Sequence, residues 1–461
     1  MRCAIGESVS CLPKFGILGT YTALFSVCGS STGPDQIPAW LLSNMAHLLA
    51  EPITYLFNLS THNSCVPDQW RSSSITPIPK IPNPTSEADF RPISITSVLC
   101  RLLEKLIVRL YIYPILTNHV ENRPFADQFA FRPSGSTSAA LIAITDCILN
   151  SLKSEPYVRL ISLDFSKAFD TVRHSYLADQ LASLPIPVNI FNWILSLLSN
   201  RSHCTKFRGM ISSLAHINAS IIQGSRMGPA NFLVAISGLK PLHSFNYIFK
   251  YADDCYLLIL ASNISTTDAE LDHISAWARK CNLHLNHSKS NEIILTRPNV
   301  NLEQGPPIIR GIKRVTSLNI LGIEISAKLG FSSHIQKICV RAKQSLHAHR
   351  ILISHGLLGV RLYDVVRSTT VNRMLYCSQV WWGFASKQER DSLSAVVRKL
   401  VRFGFLPKSF PTFEELCKKA DHDLFRNILN NPGHILHYLL PPVLYTGHDL
   451  RPRSHNRTCS F

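Results

Sequence analysis

Apolar and polar positions along this chain change their period several times, and the changes divide it into elements. Around residues 160–163 an apolar run closes on Asp164. Further on, residues 246–250 and 255–260 flank Tyr251-Ala252-Asp253-Asp254 with aromatic, β-branched and aliphatic side chains. Such flanks predict a hairpin that carries carboxylates at its tip. A short strand is expected over 292–296, and a strand pair or bend around Gly322 within 318–325. Spacing near 3.6 predicts helices over 39–59 with a break at Pro52, over 93–117, 138–152, 174–184, 189–198, 230–239 and 268–281. In the 93–117 helix Arg101, Glu104, Lys105 and Arg109 read as the polar side. Dense proline over 66–92 favours extended chain, and residues 221–229 read as a glycine-containing loop. From Ser332 to about 440 the pattern is mostly helical, with basic positions such as Lys337, Arg341, Arg398 and Arg402.

At 461 residues the chain is long enough for several lobes, and 46% hydrophobic residues mark it as globular rather than disordered. A formal charge of +17 points to a polyanionic partner, with nucleic acid favoured over an anionic membrane surface. The 13 cysteines show neither CxxC nor CxxH spacing, so free thiols in a reducing compartment are expected. No apolar run reaches the roughly 18 residues that a membrane-spanning helix needs. Residues 15–28 (FGILGTYTALFSVC) have some signal-peptide character, which leaves a secreted or membrane-attached chain as a minor alternative to an intracellular one, in nucleus or cytoplasm.

Acids that interrupt apolar strands need a reason, because a buried carboxylate is costly unless it is paired or bound to a cation. If the strand ending at Asp164 lies beside the hairpin, Asp164 and Asp253 converge. Convergent oxygen ligands that leave the rest of the coordination sphere to water and phosphates suit Mg²⁺. Ion pairs about 3.5–4 Å apart are used for in-line phosphoryl transfer. An acidic dipeptide in a solvated turn is the plain alternative.

Five segments occur in order: RPIS at 91–94, QFAFR at 128–132, SLDFSKAFDTVRH at 162–174, QGSRMGP at 223–229 and YADD at 251–254. Together they resemble the reverse transcriptase of non-long-terminal-repeat, or LINE-type, retrotransposons, from about Gly33 to the C-terminus, including the closing segments at 438–442 and 450–455. The resemblance implies an α+β right-hand polymerase fold with fingers, an antiparallel palm sheet with helices, and a helical thumb. It implies an RNA-directed DNA polymerase that extends a DNA primer on an RNA template with dNTPs, using two Mg²⁺ ions, with Mn²⁺ as the alternative ion. By resemblance Asp164 and Asp253 bind both ions and Asp254 is the less direct ligand, while Lys289 protonates the leaving pyrophosphate. Lys80, Arg91, Phe165, Phe169, Gln223 and Gly224 hold the dNTP, with Phe169 excluding a 2′-hydroxyl. Tyr251, Ala252, Leu321 and Gly322 border the primer end.

The implied division is an unmatched segment at 1–30, fingers and palm at 31–325, thumb at 326–440 and a basic tail at 441–461. Ser220, Ile222 and Ala130 depart from the family's usual residues, yet none of the expected ligands is lost. An upstream endonuclease is not expected in so short a leading segment, nor is a zinc knuckle or RNase H set after the thumb. A folded but inactive nucleic-acid-binding remnant therefore stays open beside the active polymerase.

Overall fold

The two acid-bearing strands lie side by side. In the computed structural model, which describes residues 14–442 apart from 28, 118–124, 167, 299 and 301–304, Val158–Leu163 runs antiparallel to Asp254–Leu260 and pairs Leu163 with Cys255. Tyr247–Tyr251 completes the expected hairpin, and Asn291–Leu295 and Lys313–Arg314 extend the sheet on the other side. Alternate residues feed two cores: Ile161, Leu163, Leu257 and Ile259 face one, whereas Val158, Leu160, Tyr256 and Leu258 face the other. A sheet covered on both faces explains why these strands read as continuous apolar runs. Within it Arg159 and Glu292, both almost fully buried, form an ion pair at 3.0 Å, and Arg314 reaches the same carboxylate at 2.9 Å.

A second sheet has the order Phe90–Ile95, Ser72–Pro79, Arg201–Phe207, Met210–Ile211, with Ala215–Ile217 also paired to Arg201–Phe207. Its proline-rich strand is tolerated for a positional reason. Parallel pairing to Arg201–Phe207 covers only Ser72 to Ile75, so Pro77 and Pro79 fall where the strand has lost that neighbour. The strands between 201 and 217 had no sequence signal, because RSHCTKF lacks apolar alternation and is only half-buried.

At the N-terminal side the expected break at Pro52 is corrected. The chain breaks at Met45, between helices Ala39–Asn44 and Ala46–His62, and Pro52 lies inside the second. Pro52 and Leu48 are both exposed, so the carbonyl left without an N–H partner faces water. The C-terminal third is helical as expected. Ser332–Ser354, Lys387–Arg402 and Phe413–Asn430 pack around Trp381 and Trp382, and the last two helices start with capping boxes at Ser386/Glu389 and Thr412/Glu415. Both tryptophans are buried in that core rather than free to stack on bases. Among the described residues no helix is long and apolar enough to cross a membrane, and the described cysteines are all free thiols. Residues 1–13 of the leading segment and 443–461 of the tail, with the motif at 450–455, lie outside the described residues.

Candidate active site

Continuing the ladder one step past Leu163 and Cys255 sets Asp164 opposite Asp254, and Asp253 occupies the adjoining tip. The three acids therefore share one end of the central sheet. Burial, then Asp253, then Asp164 push the Asp254 carboxyl up to about 6. None of the ion pairs among the described residues involves these acids. Nor do any three described His, Cys, Asp or Glu side chains form a ready-made metal-holding group. That combination, crowded carboxylates with no protein cation, fits a hard divalent ion that takes one or two carboxylates and fills its sphere from water and phosphates.

The backbone of Asp164 is gripped from both sides. Ser290 Oγ accepts from the Asp164 N–H at 3.2 Å, and the Asp164 carbonyl accepts from Asn286 N–H at 2.8 Å. The Asn286 side chain accepts from Lys289 N–H at 3.2 Å, closing a turn that carries the exposed Lys289 on the segment bound to Asp164. The hairpin tip is held as firmly. Ala252 adopts φ +55°, and its N–H donates to the buried Gln128 Oε1 at 3.3 Å. Next to Gln128, Asp127 accepts from the fully buried Lys250 at 3.0 Å. Gln128 thus has a supporting role that its place in the QFAFR string alone did not disclose.

A second group of expected residues meets around Phe169. Its half-buried ring stacks on Phe232 at 4.1 Å and meets Phe131 edge-on. Gln223 Nε2 donates to Asp170 Oδ1 at 2.7 Å, and the Gln223 carbonyl accepts from Ser94 N–H at 2.6 Å. Gly224 is required here: at φ +117° a Cβ would stand 2.2 Å from the Ser94 carbonyl oxygen. Phe131, Phe169, Gln223, Gly224 and Arg226 line one cleft of about 550 Å³ with Arg101 and Lys105.

Glu104, expected on a polar helix face, is instead fully buried. Its Oε2 accepts from Ser225 Oγ and Arg226 N–H, both at 2.6 Å, and from Met227 N–H at 3.0 Å. Three donors meeting one oxygen offset the desolvation that would otherwise keep this side chain in water.

Expected primer-border residues also converge. Leu321 and Gly322 form the tip between Ser317–Ile320 and Ile323–Ser326. The Leu321 N–H donates to Tyr256 Oη at 3.3 Å, and Tyr376 Oη donates to the Leu321 carbonyl at 2.9 Å. Tyr256 is two residues beyond Asp254 on the same strand. The tip is thereby tied to the acid-bearing strand, and half-buried Tyr251 lies on the neighbouring strand.

The remaining expected residues are two cations and one ring. Lys80 and Arg91 are exposed on the Ser72–Pro79 and Phe90–Ile95 hairpin, and Lys80 Nζ donates to the Ala88 carbonyl at 2.8 Å. Phe165, expected at the dNTP, has its ring buried against Trp277 at 5.8 Å, because strand alternation carries it to the same core face as Ile161 and Leu163.

Residues 78–325 match the family model described as reverse transcriptase (RNA-dependent DNA polymerase). The chain is 26% identical over 367 residues to the probable RNA-directed DNA polymerase from transposon X-element of Drosophila melanogaster, covering 76% of this chain and 39% of that protein. It is 27% identical over 372 residues to the RNA-directed DNA polymerase from mobile element jockey of the same organism, covering 76% and 39%. It therefore spans about two fifths of the length of the curated relatives it matches. A solved apo telomerase from Candida tropicalis, truncated from its C-terminal domain, aligns at TM-score 0.41 and 14% identity over 59% of this chain and 58% of that one.

Proposed function

Because the chain belongs to the reverse transcriptase family, matched over residues 78–325 of its 461, we propose that it is the RNA-directed DNA polymerase of a LINE-type retrotransposon. In this proposal it extends a DNA primer along an RNA template with dNTPs. The observation that carries the proposal is the meeting of Asp164, Asp253 and Asp254 at one end of the central sheet, where burial and then the two neighbouring acids hold the Asp254 carboxyl up at about 6. We take residues 31–325 as fingers and palm and 326–440 as the helical thumb.

Members of this family work with divalent metal ions; here Asp164 and Asp253 would hold two Mg²⁺, with Asp254 the less direct ligand. Bound there, the ions would neutralise charge on the reacting phosphates and lower the pKa of the primer 3′-hydroxyl. The chain's own residues supply position. Gln223 and Gly224 support the nucleotide, Phe169 lies beneath its sugar, and Lys80 and Arg91 reach the triphosphate from their hairpin. Lys289, on the turn that grips Asp164, is the candidate proton donor to pyrophosphate. Tyr251, Ala252, Leu321 and Gly322 border the primer end.

Extension of a labelled DNA primer on an RNA template tests the reading. The wild-type chain should extend only with a divalent cation, and Asp253→Ala should lower the rate by about 10²-fold or more, since a catalytic ion supplies several kcal/mol. Tight binding without cation-dependent extension would instead favour the inactive remnant. Such an enzyme acts inside the cell, and fractionation of a tagged chain checks that.

A further inference from the structure

We propose that Glu104 is a positioning residue for the incoming nucleotide, an inference that rests on the polymerase reading above. Glu104 lies in helix Val98–Ile107, 119 positions before Gln223, and touches none of the groups assigned to chemistry. Its carboxylate instead organises the loop that carries them. One oxygen accepts from Ser225 Oγ, Arg226 N–H and Met227 N–H, and among the described residues the other receives the weak thiol donor of Cys100 at 3.3 Å. Ser225 Oγ in turn accepts from Met227 N–H at 3.0 Å and Gly228 N–H at 3.2 Å. The donors at the start of helix Gly228–Ser237 are thus collected by one buried side-chain pair.

The consequence lies upstream in the same loop. Gln223 and Gly224 are pressed against Ser94 on one side, where a Cβ at 224 has no room. Glu104 holds residues 225–227 from beneath, so the two attachments together set the height of the Gln223–Gly224 peptide relative to Phe169. Neither contact alone fixes the loop, because Ser94 meets only its first half. A second buried charge fits this arrangement: Glu104 favours the protonated state of Arg201, whose pKa is lowered by burial above all.

The test uses the full chain bound to a primer–template whose primer ends in a 2′,3′-dideoxynucleotide, so that nucleotide binding is measured without turnover. A fluorescent N-methylanthraniloyl dNTP is titrated in the presence of a divalent cation. Glu104→Leu should weaken nucleotide binding by about tenfold, the net worth of one or two hydrogen bonds to a charged group, while primer–template affinity stays unchanged. Amide protection at Arg226 and Met227 should fall in parallel. Glu104→Gln, which keeps one acceptor oxygen, should show a smaller loss of the same kind and serves where the leucine variant fails to fold. Leu271→Ala, a core truncation on another helix, should lower thermal stability without moving nucleotide affinity. Unchanged nucleotide affinity in both Glu104 variants, with a wild-type chain that binds the probe, overturns the positioning role alone. A wild-type chain that binds primer–template and no nucleotide overturns that role together with the polymerase reading.

Discussion

Replacing Asp254 by asparagine should stabilise the metal-free chain near neutral pH while impairing its cation response. Burial and the neighbouring Asp253 and Asp164 move this carboxyl from 3.8 to about 6. Left unscreened, such a displacement would be worth roughly 3 kcal/mol of unfavourable interaction in the ionised state. Asp254 is exposed to water as a residue, however, and screening reduces the figure to about 1 kcal/mol. The sign follows from proton binding. Between roughly pH 4 and 6 the folded chain keeps a proton that the unfolded chain has released, so stability falls as pH rises through that window and stays lower above it. The asparagine side chain does not ionise and escapes the loss. In a chelating buffer at pH 8, Asp254→Asn should therefore melt about 1 °C above wild type, since the unfolding entropy of a 461-residue chain is about 1 kcal/mol/K, and the gap should close by pH 4. Added Mg²⁺ should raise the wild-type melting temperature more than that of the variant. Scanning fluorimetry across pH, with and without chelator, measures all three. Equal melting temperatures at pH 8, or a gap that ignores pH, would refute the account of crowded acids at this end of the sheet.

Three further substitutions probe the surrounding framework. Gly224→Ala places a Cβ 2.2 Å from the Ser94 oxygen at φ +117°; with backbone strain of about 1–3 kcal/mol, the KM for dNTP should rise at least fivefold, read by steady-state extension. Phe169→Ala removes the ring stacked on Phe232 and should raise ribonucleotide incorporation, scored as alkali-sensitive product; unchanged discrimination would return Phe169 to a core role. Glu292→Leu strands the almost fully buried Arg159 and should cost about 3–5 kcal/mol, seen as a sharp loss of soluble protein, while replacing both partners by apolar residues should recover much of it.

The acid-bearing strands were legible because their local pattern is self-consistent: apolar runs of strand length, each interrupted by a carboxylate, in motifs whose order admits few folds. The Leu321–Gly322 tip was also visible, as a strand pair or bend around Gly322. Glu104 was not, since a charged residue on an amphipathic helix looks solvated until its donors arrive from Ser225 to Met227. The packing of Phe165 was hidden by its place in the motif string: two residues beyond Leu163, its ring falls on the same core face and meets Trp277. Pro52 misled because a helix breaker matters only where the freed carbonyl is buried.

From the sequence alone came the acid-tipped hairpin and the helical C-terminal third, properties of periodicity and residue type over a few neighbours, while the α+β class and the roles of the carboxylates came through the resemblance that the ordered motifs carry. Only the tertiary structure decided which strand lies beside Asp254, which side chain supports Ala252, and what a charge at position 104 is for. Those outcomes depend on hydrogen-bond donors and acceptors that lie some 90 to 125 positions apart in the chain. Local pattern carries no record of such distant partners, whereas a folded interior must satisfy every buried polar group it contains.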